Sequence, residues 1–210
     1  VTGSSESSLA AVVLAAGTFD DGTPLAVGKW GAVTVARHLV DLGASVAHRV
    51  VVVLGADGDR IAEGTDFGSA DIVIDPEWQE GSAAPLRAGL DTLSRDPSIE
   101  HVIIFEATTP VVDREVVEAL VAAHLEVPHS RPGRRLLDKS ATVPKFRYAL
   151  ALPVIIGRSL WERFLGMEGD AAVLQTLSAH PDWVNEIWID RLPPTPMRTT
   201  EDLATIAPRR

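Results

Sequence analysis

The sequence contains no cysteine. A disulfide framework, a thiolate metal site, an iron–sulfur cluster and a cysteine nucleophile are excluded on that ground alone. Aromatic residues make up 5% of the chain, and positive charge is scarce: 19 Lys and Arg stand against 29 Asp and Glu, a formal net charge of -10. A protein this acidic lacks the cationic face that counterion release from a phosphate backbone requires, so no nucleic-acid partner is expected. No apolar run approaches the roughly 20 residues of a membrane span, and no membrane partner is expected either. The opening residues, Val1 to Ser8, are small, polar and acidic rather than basic and then apolar. They read as a flexible tail, and a cytoplasmic location follows by default.

Common catalytic signatures are also missing. There is no G-x-G-x-x-G after a strand, no G-K-[ST], no G-x-S-x-G and no H-E-x-x-H, which removes the usual anchors for dinucleotide, P-loop, serine-hydrolase and zincin chemistry. The histidines, His38, His48, His101, His124, His129 and His180, are scattered. Each is expected at the surface rather than as a metal ligand.

What the chain does have is apolar residues, 46% of its 210 positions, enough to fill the core of one domain, read as residues 9–207. Leu9 to Ala16 (LAAVVLAA) is a continuous apolar run closed by Gly17, the pattern of a strand buried on both faces. Arg49 to Leu54, Asp71 to Ile74, His101 to Phe105, Leu152 to Ile156 and Val184 to Ile189 read as further strands. Between them, helical periodicity covers Ala32 to Leu42 with Gly43 as its C-cap, then Gly81 to Leu93, Arg114 to Leu125, Ser159 to Gly166 and Ala171 to Ala179. A short helix starts near Gly58, and a capped helix begins at Thr199. Thr18 to Gly31 and the Arg-, Pro- and Gly-rich stretch 129–148 read as long loops. Alternating strands and helices predict a three-layer α/β domain, a mostly parallel sheet with helices on both faces. Ligands then belong beyond the carboxyl ends of the strands, around Gly17, after Ile74 and after Phe105.

Several segments, in order, carry a resemblance. Leu14-Ala15-Ala16-Gly17 matches an L-A-A-G opening, and Asp75 to Leu90 (DPEWQEGSAAPLRAGL) matches N-P-x-W-x-x-G-M-x-x-S-L-R-x-G-L almost without gaps. Phe105 to Val111 (FEATTPV) stands where a strand followed by G-D-x-P belongs. Pro144 to Gly157 (PKFRYALALPVIIG) keeps the spacing of P-x-Y-x-G-x-x-G-H-P-V-L-x-G. Leu160-Trp161, Glu168-Gly169-Asp170 and Met197 to Leu203 (MRTTEDL) complete the series. Over nearly its whole length the chain resembles MobA-like nucleotidyltransferases, which activate molybdopterin with CTP or GTP. The resemblance implies a GT-A-like Rossmann fold of nucleotidyltransferase type. It also implies a reaction in which a phosphorylated acceptor attacks a nucleoside triphosphate and releases pyrophosphate, with magnesium (Mg2+) held by strand-end carboxylates. It places a nucleotide against Leu14, Ala15, Ala16, Gly17, Gly22, Gly81 and Ser82.

The departures fall on the polar positions. Where the family's loop carries an arginine and a lysine, this chain has Asp21 and Leu25; the magnesium-holding aspartates align with Thr108 and Arg198; a histidine aligns with Leu152 and a serine with Pro85. The leading expectation is therefore a diverged or non-catalytic member that binds a nucleotide or phosphorylated small molecule in the cleft. An alternative is an active magnesium-dependent transferase in which Glu106 with Asp20 or Asp21 replaces the lost ligands and Lys29 the lost cation. A third reading is an interaction protein whose basic stretch, with Arg134, Arg135, Lys145 and Arg147, meets an acidic partner. In the first two readings the same four residues face the phosphorylated acceptor.

Overall fold

The computed structural model describes residues 8–126, 140–169 and 173–208. The chain opens with β1 (Leu9–Ala15) and a single 3-10 turn at Leu25–Val27, followed by the small hairpin β2 (Lys29–Trp30) and β3 (Val33–Thr34). Then come α1 (Val35–Ala44), β4 (Arg49–Leu54), α2 (Gly58–Gly64), β5 (Asp71–Ile74), α3 (Ala83–Ser94), β6 (His101–Glu106) and α4 (Arg114–Glu126). The second half holds β7 (Ala141–Phe146), β8 (Ala149–Leu150), β9 (Val154–Gly157), α5 (Trp161–Leu165), α6 (Val173–Ala179), β10 (Val184–Ile189) and α7 (Thr200–Ile206). The main sheet runs β10-β7-β9-β6-β1-β4-β5, with β8 added to β7. The β5, β4, β1 and β6 strands are parallel neighbours, as are β7 and β10, while β9 is antiparallel to both β6 and β7.

The unbroken apolar reading of β1 is explained by its place in the sheet. It pairs with β4 on one side and β6 on the other, and a strand covered on both faces has no polar side to show. Leu9, Ala11, Val13 and Ala15 enter an apolar layer with α1, α4 and Leu203 of α7. Ala10 and Val12 enter the opposite layer with α3, α5 and α6. The three-layer expectation is met by these two clusters.

Four local expectations are corrected. Helix α1 begins at Val35, where the Thr34 hydroxyl accepts from the Arg37 N–H at 3.2 Å, and it runs past Gly43. That glycine is inside the helix because a Cβ there would lie 2.9 Å from the Ala11 Cβ; it permits close helix–strand approach rather than ending a helix. The ninth strand starts at Val154 rather than Leu152, since Pro153 has no N–H for the ladder. Part of the basic stretch is a strand, β7, because Ala141 and Val143 point into the core. The fourth correction concerns histidine. His124 is fully buried, with Nδ1 2.9 Å from the Thr142 hydroxyl and Nε2 3.0 Å from Nδ1 of His101. His38 stacks on Trp30 at 5.0 Å with its Nε2 3.2 Å from the Pro110 carbonyl oxygen; burial holds its pKa below the ordinary value. These are packing histidines at helix–strand contacts, not surface ones.

Candidate functional site

The carboxyl ends of β1 and β6 open into a cavity of about 450 Å³, within the range of small-molecule sites. Its position follows from register. Leu14 is paired with Glu106 across the β1–β6 ladder, so the two side chains leave the sheet side by side on the face covered by α3, α5 and α6. Both line the cavity, as does Thr108, two residues beyond Glu106. Ala16 and Gly17 form the floor after β1; Trp78, Gln79, Gly81, Ser82 and Pro85 come from the approach to α3 and its first turn; Val173 and Leu174 come from α6. Leu152 closes one side from the segment that enters β9, and Leu25 from the loop after β1. Gly81 adopts φ +121°, a conformation L side chains rarely take, which lets the chain turn from Trp78 into α3.

Among the described residues that line the cavity Glu106 alone is ionisable, and no described Lys, Arg or His stands in its wall. Its carboxyl lies deep among protein atoms but opens onto the cavity. Burial raises its pKa, and a hydrogen bond from the Thr108 hydroxyl partly offsets that rise. The rest of the wall is Leu14, Leu25, Trp78, Pro85, Leu152, Val173 and Leu174 with glycine, alanine and a few neutral polar groups. Leu25, Pro85, Leu152 and Thr108 are four of the six positions at which this chain departs from the motifs it resembles. Three of them are now apolar, and Thr108 offers a neutral hydroxyl in place of a carboxylate.

The loop after β1 is folded on itself. Phe19 N donates to Thr23 O at 2.8 Å, Gly22 N to Phe19 O at 2.9 Å and Leu25 N to Gly17 O at 3.0 Å. Thr23 N donates to the Asp21 carboxylate at 2.9 Å, and Asp20 N to Arg198 O at 2.9 Å. These five backbone donors are thus engaged within the protein rather than turned toward a phosphate. Buried Phe19, 2% exposed, pins the turn from beneath. Its packing role is not readable from the surrounding polar loop.

The remaining sequence candidates lie elsewhere. Asp21 is exposed, its carboxyl held below the usual range by the Thr23 and Thr200 donors. Asp20, Gly22 and Lys29 do not line the cavity, and Lys29 sits exposed on β2. Ala15 faces the other apolar layer. Arg198 is exposed, its N–H donating to Asp202 at 2.9 Å. Lys145 and Arg147 are engaged by Glu186 at 2.6 Å and Asp190 at 3.1 Å along the β7–β10 edge, where neighbouring acids offset their charge. Arg134 and Arg135 fall outside the described residues, as does Asp170.

The structure gives a direct test of whether these residues fit a magnesium ion. Glu106 contributes one carboxylate and Thr108 a neutral hydroxyl; Asp20 and Asp21 are on the folded-back loop. Among the described residues no group of three or more His, Asp or Glu could hold a metal. Magnesium is usually held by one or two carboxylates together with substrate phosphates; the described wall offers Glu106 alone, without the strand-end aspartates that the resemblance implies. Sequence reasoning did not name Trp78, Gln79, Val173 and Leu174 as site residues; Trp78 stands on the tryptophan of the matched segment, a signal that could have found it, whereas apolar side chains such as Val173 and Leu174 look alike in a ligand wall and in a core.

The fold is that of known nucleotidyltransferases. Rv0371c from Mycobacterium tuberculosis superposes with a TM-score of 0.81 at 18% identity, covering 97% of this chain and 99% of that one. A second structure of it, a complex with manganese, gives 0.77 at 16% identity with the same coverages, 97% and 99%. A nucleotidyl transferase from Methanothermobacter gives 0.71 at 16%, covering 95% of both chains. A CMP:2-keto-3-deoxy-manno-octonic acid synthetase complexed with CTP gives 0.69 at 9% identity, covering 96% of this chain and 97% of that one. No curated protein matches the chain. No helix among the described residues is long and apolar enough to cross a membrane. Residues 11–183 match the MobA-like NTP transferase domain, and the chain belongs to that family.

Proposed function

We propose that this protein is a ligand-binding member of the NTP transferase family that has given up magnesium-dependent nucleotidyl transfer and holds a nucleotide-type small molecule in the strand-end cavity. The observation that carries this reading is the wall of that cavity: among the described residues Glu106 is its one ionisable side chain, with leucine and proline where a polar site would place cations and hydroxyls. Phosphoryl-group transfer proceeds by positioning and by neutralising charge on the phosphate oxygens. A wall without a cation and with one buried carboxyl opposes both. Binding needs less, and an apolar cavity with a single convergent polar group is suited to it.

The chain's own residues have definable tasks. Trp78, Leu14 and Leu152 desolvate a bound ring, Glu106 accepts hydrogen bonds from it, and the Thr108 hydroxyl holds the Glu106 carboxyl in place. The test is isothermal titration with CTP, GTP and ATP, each with and without magnesium, alongside an assay for released pyrophosphate in the presence of phosphorylated acceptors. Binding that is indifferent to magnesium, without pyrophosphate release, is the expected outcome. Magnesium-dependent binding with turnover, lost in Glu106→Gln, would overturn the proposal in favour of a rebuilt metal site.

A further inference from the structure

The main sheet ends on β10, and among the described residues β7 is its sole strand neighbour. Its six residues pair with β7 in unbroken register, from Val184 with Ala141 to Ile189 with Phe146, with no proline and no bulge between them. A strand at a sheet edge presents unpaired N–H and C=O groups, and proteins commonly blunt such edges with proline, bulges or shortening. The opposite edge is blunted in this way: β5 has four residues and runs into Pro76. Exposed apolar surface also gathers along β10. Tyr148, Leu192 and Trp188 are 74%, 66% and 62% exposed, while no other large apolar side chain among the described residues exceeds 42%. Trp188 lies on β10, Leu192 follows it, and Tyr148, the one tyrosine of the chain, sits in the turn after β7. Tryptophan and tyrosine are the residue types that anchor protein interfaces.

Charge selects the occupant. The chain carries a formal net charge of -10, so two copies repel one another over most of their surface. At this edge the signs are balanced: Lys145 stands with Glu186, Arg147 with Asp190, and Arg191 with Asp113 and Glu115. Charges already paired in this way favour neither a strongly basic nor a strongly acidic partner. They mark the face on which an acidic chain meets its own copy with least repulsion.

We propose that β10 pairs with β10 of a second copy, antiparallel about a two-fold axis, so that two sheets become one. Side-chain direction restricts the register. Residues opposite one another across this two-fold share a face of the sheet, so the axis passes through a residue rather than between two. Centred on Glu186, the pairing sets that carboxylate against its own copy; centred on Trp188, it sets Glu186 against Asp190 of the second copy. Like charges directly opposite are destabilising in either case. Centred on Ile187, it sets Glu186 against Trp188 of the second copy, which lies beside that copy's Lys145 on the next strand. Carboxylate, indole and ammonium then form one row across the interface, and the two-fold repeats it. Asn185 to Ile189 stay paired throughout.

The absence of cysteine makes the test clean, because a single introduced cysteine can cross-link only to its own counterpart. Light scattering of the full chain at micromolar concentration is expected to give a dimer for the wild type. Trp188→Glu, which sets a carboxylate against Glu186 of the second copy, should be a monomer with an unchanged far-ultraviolet circular dichroism spectrum. Residues directly opposite in an antiparallel pair lie within the Cα separation that a disulfide spans. Under mild oxidation Ile187→Cys should therefore form an intermolecular disulfide at least tenfold faster than Ile72→Cys on the opposite edge. A monomeric wild type, a dimer that survives Trp188→Glu, or equal cross-linking at the two edges would each overturn the proposal. If Trp188→Glu fails to fold, the two cysteine variants decide the matter alone.

Discussion

Gly55, the residue that ends β4, shows how single positions shape the cavity. A Cβ placed there would lie 2.5 Å from the Ala16 carbonyl oxygen and 2.5 Å from the Trp78 ring. Carbonyl oxygens of the strand floor cannot move aside, so the displacement falls on Trp78, a wall of the cavity. Gly55→Ala is therefore expected to destabilise the fold by about 1–3 kcal/mol, the range for overpacking, and to weaken ligand binding at least fivefold. Gly64→Ala is the control, since nothing lies within 4 Å of the corresponding Cβ. Tryptophan fluorescence and titration of the two variants measure both effects; equal binding in the two would show that Trp78 does not shape the ligand site. At this scale the sequence was least informative. Glu106 could be placed on a strand end by its period of two from Thr108, yet nothing in the residue names separates Leu152 or Val173, which line a cavity, from Leu90 or Leu177, which fill a core. Burial class depends on partners brought from distant parts of the chain, and one sequence does not contain that pairing.

Elements were more readable, because their signals are local. Thr199 and Asp202 form a capping box: the Thr199 hydroxyl accepts from Asp202 N at 3.0 Å and the Asp202 carboxylate accepts from Thr199 N at 2.9 Å. The two bonds satisfy donors at the start of α7 that would otherwise go without a helix partner, and the T-x-x-D spacing announces them. Helix α7 in turn seats Leu203 so closely on Gly28 that a Cβ there would be 2.7 Å from it. Thr199→Ala should lower stability by about 1 kcal/mol, as for loss of a helix cap. Urea denaturation at neutral pH gives the number directly; a midpoint unchanged from wild type would mean that α7 is held by Leu203 packing alone. Where the element reading failed, the cause was tertiary. Gly43 looked like a stop but serves a close contact with Ala11, and the basic residues around β7 masked an inward alternation of Ala141 and Val143.

The whole molecule is two apolar layers divided by one sheet, and the layers account for the legibility of the fold. Unbroken runs such as RVVVVL in β4 and HVIIFE in β6 are required by strands buried on both faces, so the class of the fold could be read from them. Chemistry belongs instead to the few residues at the strand ends, and family membership does not decide it. The central position of β1 has a further consequence. Its amide groups are bonded into β4 and β6, and both of its faces are covered. Exchange of those amides with deuterated solvent then requires opening of the whole molecule, so β1 should be the slowest-labelling segment. Helix α6 has seven residues and lies over one rim, and it should label orders of magnitude sooner. Mass spectrometry of timed deuterium uptake would order the two, and equal rates would contradict this hierarchy. If that order holds, the cavity is bounded by its most persistent structure at Leu14 and by more readily opened structure at Val173 and Leu174, and its wall yields first on the α6 side.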